Sequence, residues 1–359
     1  MQSPAHTGTD AFSTADPAIE GLRGVAALMV LVTHYTFMLT AQPGLWGFAS
    51  TGVDLFFVLS GYVFAPYLLG KPLALAAHLI RRFFRLYPLY LCALLLYVAL
   101  HQPAASAWDH FGAHLVMGHT LTSLAVAGYY NAAFWSLPPE VEYYLLLPLL
   151  AWGAARWRWL GLLLLAAAMH LLLVAAAVPN EGVTPRVIAT VHLPGLLVEF
   201  MLGSMACVLA KGGAKWLRLL LGVLVLAGTA ALYLHFVAAV NGVAQTAPLW
   251  VGGNIGLGAA LGYALLVSVL AGPQGWSTGP SRLTPTLLLM GELSYGVYLL
   301  HNAAPQILAR LLPGTAGGLA LLLCTGLTLL LAWLAHHGIE KPLRNYGRGL
   351  SQSLLARSK

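Results

Sequence analysis

The first apolar run of the chain, EGLRGVAALMVLVTHYTFMLTA from Glu20 to Ala41, carries Arg23 near its start and His34 further in. Ten residues without an ionisable group lie between them. Burial disfavours a charged imidazolium, so an imidazole inside an apolar helix keeps a lone pair that can take a proton. The bland alternative is a packing histidine bonded to a neighbouring serine or backbone carbonyl. His34 stands twelve residues beyond Leu22, roughly 18 Å along a helix and therefore near mid-membrane if the run spans a bilayer.

The second run, STGVDLFFVLSGYVFAPYLLG, holds Asp54 near its start and Ser60 deeper. Entering from the opposite side, it would bring Ser60 level with His34. Asp54 would either orient polar groups at the mouth or cap the helix start. The segment HLIRRFFRLYPLY then interleaves Arg81, Arg82 and Arg85 with Phe83, Phe84 and Tyr87. A basic, aromatic juxtamembrane stretch marks orientation and touches anionic lipid. The same residues could clamp phosphate with guanidinium forks and stack a base, with Arg23 as a further donor.

YYNAAFWSLPPEVEYYLLLPLL gathers Trp135, Ser136, Glu140, Glu142, Tyr143 and Tyr144. The rings alone would make an interfacial belt. Carboxylates beside aromatic faces also suit a carbohydrate, whose hydroxyls need acceptors and whose ring stacks. Glu199 and Glu292 are further acids within apolar runs, and either could partner His34 or Arg23. Such groups are expensive in a bilayer unless they face a cavity or a partner.

The elements that must position these residues are membrane helices. The chain has 359 residues, 59% hydrophobic and 8% charged, with a mean hydropathy of +0.78, where soluble domains carry about 25% charged residues. The net charge of +7 is scattered in short clusters between apolar runs, which excludes a nucleic-acid face and points to membrane orientation. Cys92, Cys207 and Cys324 lie far apart without metal-ligand spacing and read as packing residues. There is no internal repeat and no glycine-rich phosphate loop. Residues 1–19 read as a disordered polar tail, and the run after Leu22 is too long for a signal peptide core.

With a window of about 20 apolar residues, ten spans are expected, at roughly 22–41, 51–70, 86–101, 139–155, 159–178, 190–210, 216–238, 249–271, 286–309 and 316–337. Lys71, Arg81, Arg82, Arg85, Arg156, Arg158, Lys211, Lys215, Arg218, Arg282 and the basic C-terminal residues follow alternate spans. The other connections hold only Arg186 and Arg310. Both termini are thus expected in the cytoplasm. Residues 102–138 contain a half-apolar segment that could be re-entrant, interfacial or an eleventh span, although an eleventh span breaks the charge alternation.

Taken together, GLRGVAALMVLVTH, GVDLFFVLSGY, RRFFRLYP, FWSLPPEVEYYLLLP, LSYGVYLLH ending at His301 and IEKPLR starting at Ile339 resemble membrane acyltransferase family 3, in that family's order, from about Glu20 to Arg344. Glu20 stands where an Asp is common, and Pro138 and Pro139 replace small or branched residues. The resemblance implies an all-α bundle, with an acyltransferase domain over 20–344 and a basic cytoplasmic tail over 345–359. It also implies an integral-membrane O-acyltransferase that moves an acyl group, usually from cytoplasmic acetyl-CoA, to a hydroxyl across the membrane. His34 would be the essential catalytic group, as general base or transient acyl carrier. Arg23, Arg82 and Arg85 would handle the donor. Glu140, Trp135 and Tyr144 match the fourth-span motif, with Glu140 a catalytic candidate, and Asp54, Ser60 and His301 belong to the acceptor or structural motifs.

The expected partners are membrane lipid, acyl-CoA as co-substrate and a saccharide acceptor, with no metal, no permanently bound cofactor and no nucleic acid. The expected location is the bacterial inner membrane. The acceptor expected is a surface polysaccharide or lipopolysaccharide sugar, or a secondary-metabolite sugar such as one on a macrolide. A rival reading is a transporter or flippase of a lipid-linked sugar, with His34 and Glu199 as a proton relay. A scaffold in a polysaccharide assembly complex would not need His34.

Overall fold

The computed structural model describes residues 16–36, 38–40, 44–121, 123–176, 191–236, 253–272 and 282–357. Most of the tail expected over residues 1–19 lies outside them, as do Arg186, Lys359 and parts of the fifth to eighth expected spans.

Every regular element among the described residues is helical: α1 (Pro17–Thr36), α2 (Gly52–Leu68), α3 (Leu75–His101), α4 (Leu137–Ala175), α5 (Leu193–Leu209), α6 (Lys215–Phe236), α7 (Ile255–Leu270), α8 (Thr284–Leu300), α9 (Ala303–Leu311), α10 (Gly317–Ala335) and α11 (Lys341–Arg357). A helix overlaps each expected span. Six helical stretches are long and apolar enough to cross a membrane by length and composition. Leu145, Leu149, Trp152, Leu172 and Trp216 face outward. Such an apolar exterior suits lipid, where helices satisfy their own backbone polar groups.

Three boundaries differ from expectation. Helix α1 begins earlier because Asp16 caps it, its carboxylate accepting from the Ala18 N–H at 2.9 Å, with Pro17 at the first helical position, where no N–H is needed. It ends at Thr36, so His34 stands in its last turn and not midway along it. Helix α3 starts at Leu75, so Arg81, Arg82 and Arg85 lie on the helix itself and not in a loop. Arginine is a good helix former, and nothing in HLIRRFFR breaks the helix. The expected C-terminal tail is largely the helix α11, which packs on α3.

Pro138 and Pro139 fall in the first turn of α4, where proline costs nothing. The expected fourth and fifth spans are the two limbs of α4, which meet at a kink where Arg158 adopts φ 64°. The described part of 102–136 forms only short turns, among them Phe111–Leu115 and Leu124–Ala127, so no eleventh spanning helix lies there. Tyrosines pin this connection to the bundle: the Tyr90 hydroxyl donates to the His114 carbonyl at 2.7 Å and Tyr130 to the Asp109 carbonyl at 2.8 Å. Cys324 is buried and Cys207 half-buried, but Cys92 is exposed.

Helices α2 and α5 touch backbone to backbone. A Cβ on Gly61 would strike the Phe200 carbonyl, and one on Gly203 would strike that of Val58. Small residues permit this approach in membrane bundles, and it holds α2, with Phe57 and Ser60, beside the centre.

Candidate active site

Arg82 and Arg85 are three residues apart on α3 and so share a face. Arg23 comes from the first half of α1, and Arg344 and Arg348 from α11. With Arg81 they line a cavity of about 440 Å³ that also meets Glu20 and Glu292. The Arg82 guanidinium lies over the Phe64 ring at 5.1 Å and the Tyr144 ring at 5.6 Å, a cation–π arrangement that fixes its direction. Arg85 is held from beneath by Glu340, at 2.8 Å, and Glu340 also approaches Arg344 at 3.7 Å and the His336 ring at 3.2 Å. Glu340 ends a π-helical turn, His336–Glu340. Turns of this kind re-aim side chains at functional sites.

A narrow inner cavity of about 40 Å³ leads inward from Arg23 and Arg85 to Ser136, Glu140, Ser294 and Tyr298. Glu140 accepts from the Tyr144 hydroxyl and, at 3.3 Å, from Ser60. The Ser136 and Tyr298 hydroxyls are 2.5 Å apart. Beyond Tyr298, at the residue that caps the C-terminus of α8, the buried His301 ring lies 4.8 Å from that of His34, centroid to centroid.

His34 opens to a third cavity, of about 290 Å³, lined by Tyr35, Tyr130, Asn131, Asn302 and Gln306 among others. The Nδ1 of His34 is 2.9 Å from the Val30 carbonyl, so Nδ1 carries the proton and Nε2 keeps its lone pair. His301 is arranged alike, with Nδ1 at 2.8 Å from the Tyr298 carbonyl and Nε2 buried without a partner. Asn131 donates to the Leu299 carbonyl at 3.0 Å and accepts from Asn302 at 2.7 Å. The connection from α3 to α4 is thereby locked onto the end of α8 that carries His301. Eleven positions separate Arg23 from His34, roughly 16 Å of helix, so the cations and the imidazoles line separate cavities about that far apart.

Some expected roles change. Ser60 lines a small pocket with Arg23 and Arg82, level with the cations and not with His34, because α2 runs down from Gly52, which lies against Ala26. Asp54 stands in the first turn of α2, as the cap reading has it, and also hydrogen-bonds Glu199. Both carboxyl groups crowd Gly256 in the first turn of α7. Glu199 therefore partners Asp54, while Glu292 lies 3.6 Å from His336; no ion pair reaches His34 among the described residues. Glu140 and Trp135 do not line the His34 cavity, and Trp135 packs on Phe57. Glu142 is spent on structure: it accepts from the Leu193 N–H at 2.8 Å and pairs with His192, also at 2.8 Å. That hydrogen bond raises the affinity of His192, just ahead of α5, for its proton.

Sequence reading passed over Asn131, Asn302, Tyr298 and Glu340. The one available signal was their position inside quoted motifs, since Tyr298 lies in LSYGVYLLH, Asn302 directly follows it and Glu340 lies in IEKPLR.

A multi-pass helical membrane protein with an arginine-lined cavity at one end of its interior and a neutral-tautomer imidazole at the other defines a membrane-embedded group-transfer enzyme. The chain belongs to the acyltransferase domain family, whose model matches residues 16–337. It is an acyltransferase of non-aminoacyl type, which sets the transporter reading aside. It is 27% identical over 377 aligned residues to the acyltransferase MdmB of Streptomyces mycarofaciens, covering 92% of each chain. It is 25% identical to the peptidoglycan O-acetyltransferase OatA of Listeria monocytogenes serovar 1/2a, covering 92% of this chain but 56% of that one. No solved structure matches it.

Proposed function

We propose that the protein is a ten-span O-acetyltransferase of the bacterial inner membrane, with both termini in the cytoplasm, that carries an acetyl group from cytoplasmic acetyl-CoA to a sugar hydroxyl on the far side. The acceptor is a sugar of a surface polysaccharide or lipopolysaccharide. The O-acetyl chemistry is supported by the name of the Listeria relative. The donor site is supported by six arginines around one cavity, two of which, Arg23 and Arg85, also line the narrow inner cavity.

The observation that carries the reading is the contact of His34 Nδ1 with the Val30 carbonyl, 2.9 Å, which requires the proton on Nδ1. With Nδ1–H spent on Val30, Nε2 is free to take the hydroxyl proton as the acceptor oxygen attacks the thioester carbonyl. The carbon–oxygen bond forms, the carbon–sulfur bond breaks, and the imidazolium returns the proton to the leaving thiolate. The pantetheine arm of a donor held by the arginines enters the inner cavity, whose Tyr298 is separated from His34 by the His301 ring, at centroid distances of 6.3 Å and 4.8 Å. Arg23, Arg82 and Arg85 hold the donor phosphates as charge-assisted hydrogen-bond donors.

Reconstitution with radiolabelled acetyl-CoA and candidate saccharides tests this. Label transfer should be present in wild type and absent in His34→Ala; a wild type that transfers no label from acetyl-CoA to any hydroxyl overturns it. Trapping labelled protein after a rapid denaturing quench near neutral pH, where an acyl-imidazole outlives its acid-labile protonated form, separates the two roles of His34: a base leaves the protein unlabelled, whereas an acyl carrier leaves label lost in His34→Ala.

A further inference from the structure

The cations of the large cavity are not equivalent. Glu20 approaches Arg23 at 3.9 Å, and Glu340 takes Arg85 and Arg344. Arg81, Arg82 and Arg348 have no carboxylate partner among the described residues. Arg82 is fixed between two aromatic rings. The remaining two come from helices far apart in sequence, α3 and α11, and are brought together by specific packing. Gly347 lies so close to Phe84 that a Cβ would overlap its ring, and one helical turn further on the Ser351 hydroxyl meets Arg81 Nη1 at 3.4 Å. Ser351 itself donates to the Arg348 carbonyl at 2.8 Å. The same hydroxyl therefore ties Arg81 to the turn that carries Arg348.

Depth orders these groups. The Arg85 side chain is 11% exposed and that of Arg23 24%, and both reach the inner cavity as well as the outer one. Arg348 is exposed, at the mouth. Coenzyme A has a matching linear order: thioester, pantetheine, diphosphate, then a ribose carrying a 3′-phosphate. The diphosphate is a pair of monoanions. The 3′-phosphate is a monoester of about −1.5 to −2 charge at neutral pH, which calls for two guanidinium groups of its own.

The geometry points to a second anion subsite, formed by Arg81 and Arg348 and braced by Ser351, that recognises the 3′-phosphate of the donor. The C-terminal helix α11 is in this way part of the donor site, and the enzyme distinguishes CoA thioesters from thioesters lacking that phosphate. The inference rests on the acyl-CoA reading above.

Acetyl-CoA and acetyl-3′-dephospho-CoA are compared as donors in nanodiscs of phosphatidylcholine alone, so that no anionic lipid is present. Wild type should show a KM roughly 10- to 100-fold higher for the dephospho donor, the size expected for losing a charge-assisted pair, with kcat little changed. Arg348→Ala should raise KM for acetyl-CoA by about 10-fold, leave KM for the dephospho donor where it is, and be partly rescued by Arg348→Lys. Equal KM values for both donors in wild type overturn the subsite while leaving the acyl-CoA reading intact, and need no variant to fold. A KM raised equally for both donors in Arg348→Ala overturns the assignment to the 3′-phosphate. Added phosphatidylglycerol that competes with donor in wild type but not in Arg348→Ala would assign the subsite to a lipid headgroup. Failure to use any CoA thioester overturns the reading on which the inference stands.

Discussion

The His34 and His301 rings face each other at 4.8 Å, tilted by 56°, each with Nδ1 committed to a carbonyl of its own helix. Two imidazoles so arranged present two lone pairs. Only His34 lines the open cavity, while His301 is wholly buried. His34→Gln should lower kcat by roughly 10²- to 10⁴-fold, the range of a lost general base, with the thermal midpoint nearly unchanged. His301→Gln should keep a larger share of kcat. Steady-state rates with labelled donor, alongside unfolding curves in detergent, check both; equal losses in the two variants would sink the division of roles.

Glu340 is the carboxylate on which Arg85, Arg344 and His336 converge, and it is 1% exposed. Removing one member of a buried ion pair leaves the others uncompensated, at about 3–5 kcal/mol. Glu340→Gln should therefore lower the unfolding midpoint and also raise KM for the donor, because Arg85 loses its support. A variant with wild-type stability and wild-type KM would show that the network does neither job.

Residue type carried much of this site in advance, and residue partnership did not. Arg23, Arg82 and Arg85 stand out as cations beside apolar runs, and they do share a cavity. The pairing of Arg85 with Glu340 joins positions 255 apart, and no local pattern encodes it. The place of His34 along its helix, in the last turn, differs from the reading because hydropathy starts the helix at Leu22. The capping pair Asp16 and Pro17 starts it earlier, a signal written in the side chains and not in the apolar run. Glu142 and Glu140, two residues apart, read alike in sequence. Helix geometry sends one to cap α5 and the other into the inner cavity.

Gly61 lies where α2 meets the Phe200 carbonyl of α5, with Gly203 making the reciprocal contact at Val58. Both obstacles are backbone, which cannot rotate aside as a flexible side chain can. Gly61→Ala should force the helices apart and cost about 1–3 kcal/mol or more, read as a lowered midpoint. Gly228→Ala, on α6 with nothing near its Cβ, is the control and should be neutral or slightly stabilising because alanine favours helix. Equal behaviour of the two variants would contradict the close contact.

His114 and His119, in the connection between α3 and α4, stack at 4.3 Å with their planes 2° apart, and both are fully buried. Burial, and then the neighbouring His119, push the His114 pKa down to about 4 from 6.5, and burial lowers that of His119. A histidine kept neutral in the folded state gives up stability wherever the unfolded chain can bind a proton that the folded chain cannot. Stability should thus be level above about pH 6.5, fall as pH drops from there towards 4, and level off below. The slope contributed by His114 is at most about 1.4 kcal/mol per pH unit. The paired His192, whose proton affinity is raised by Glu142, acts in the opposite sense: its contribution is present in acid and is lost as pH rises through its folded value. Thermal midpoints of wild type and His114→Phe from pH 4 to 8 isolate the stacked pair. The phenylalanine variant can still pack on Tyr130 and Phe134, so its midpoint should vary less across the acid range. An identical pH dependence in the two proteins would rule out the stacked histidines as its source.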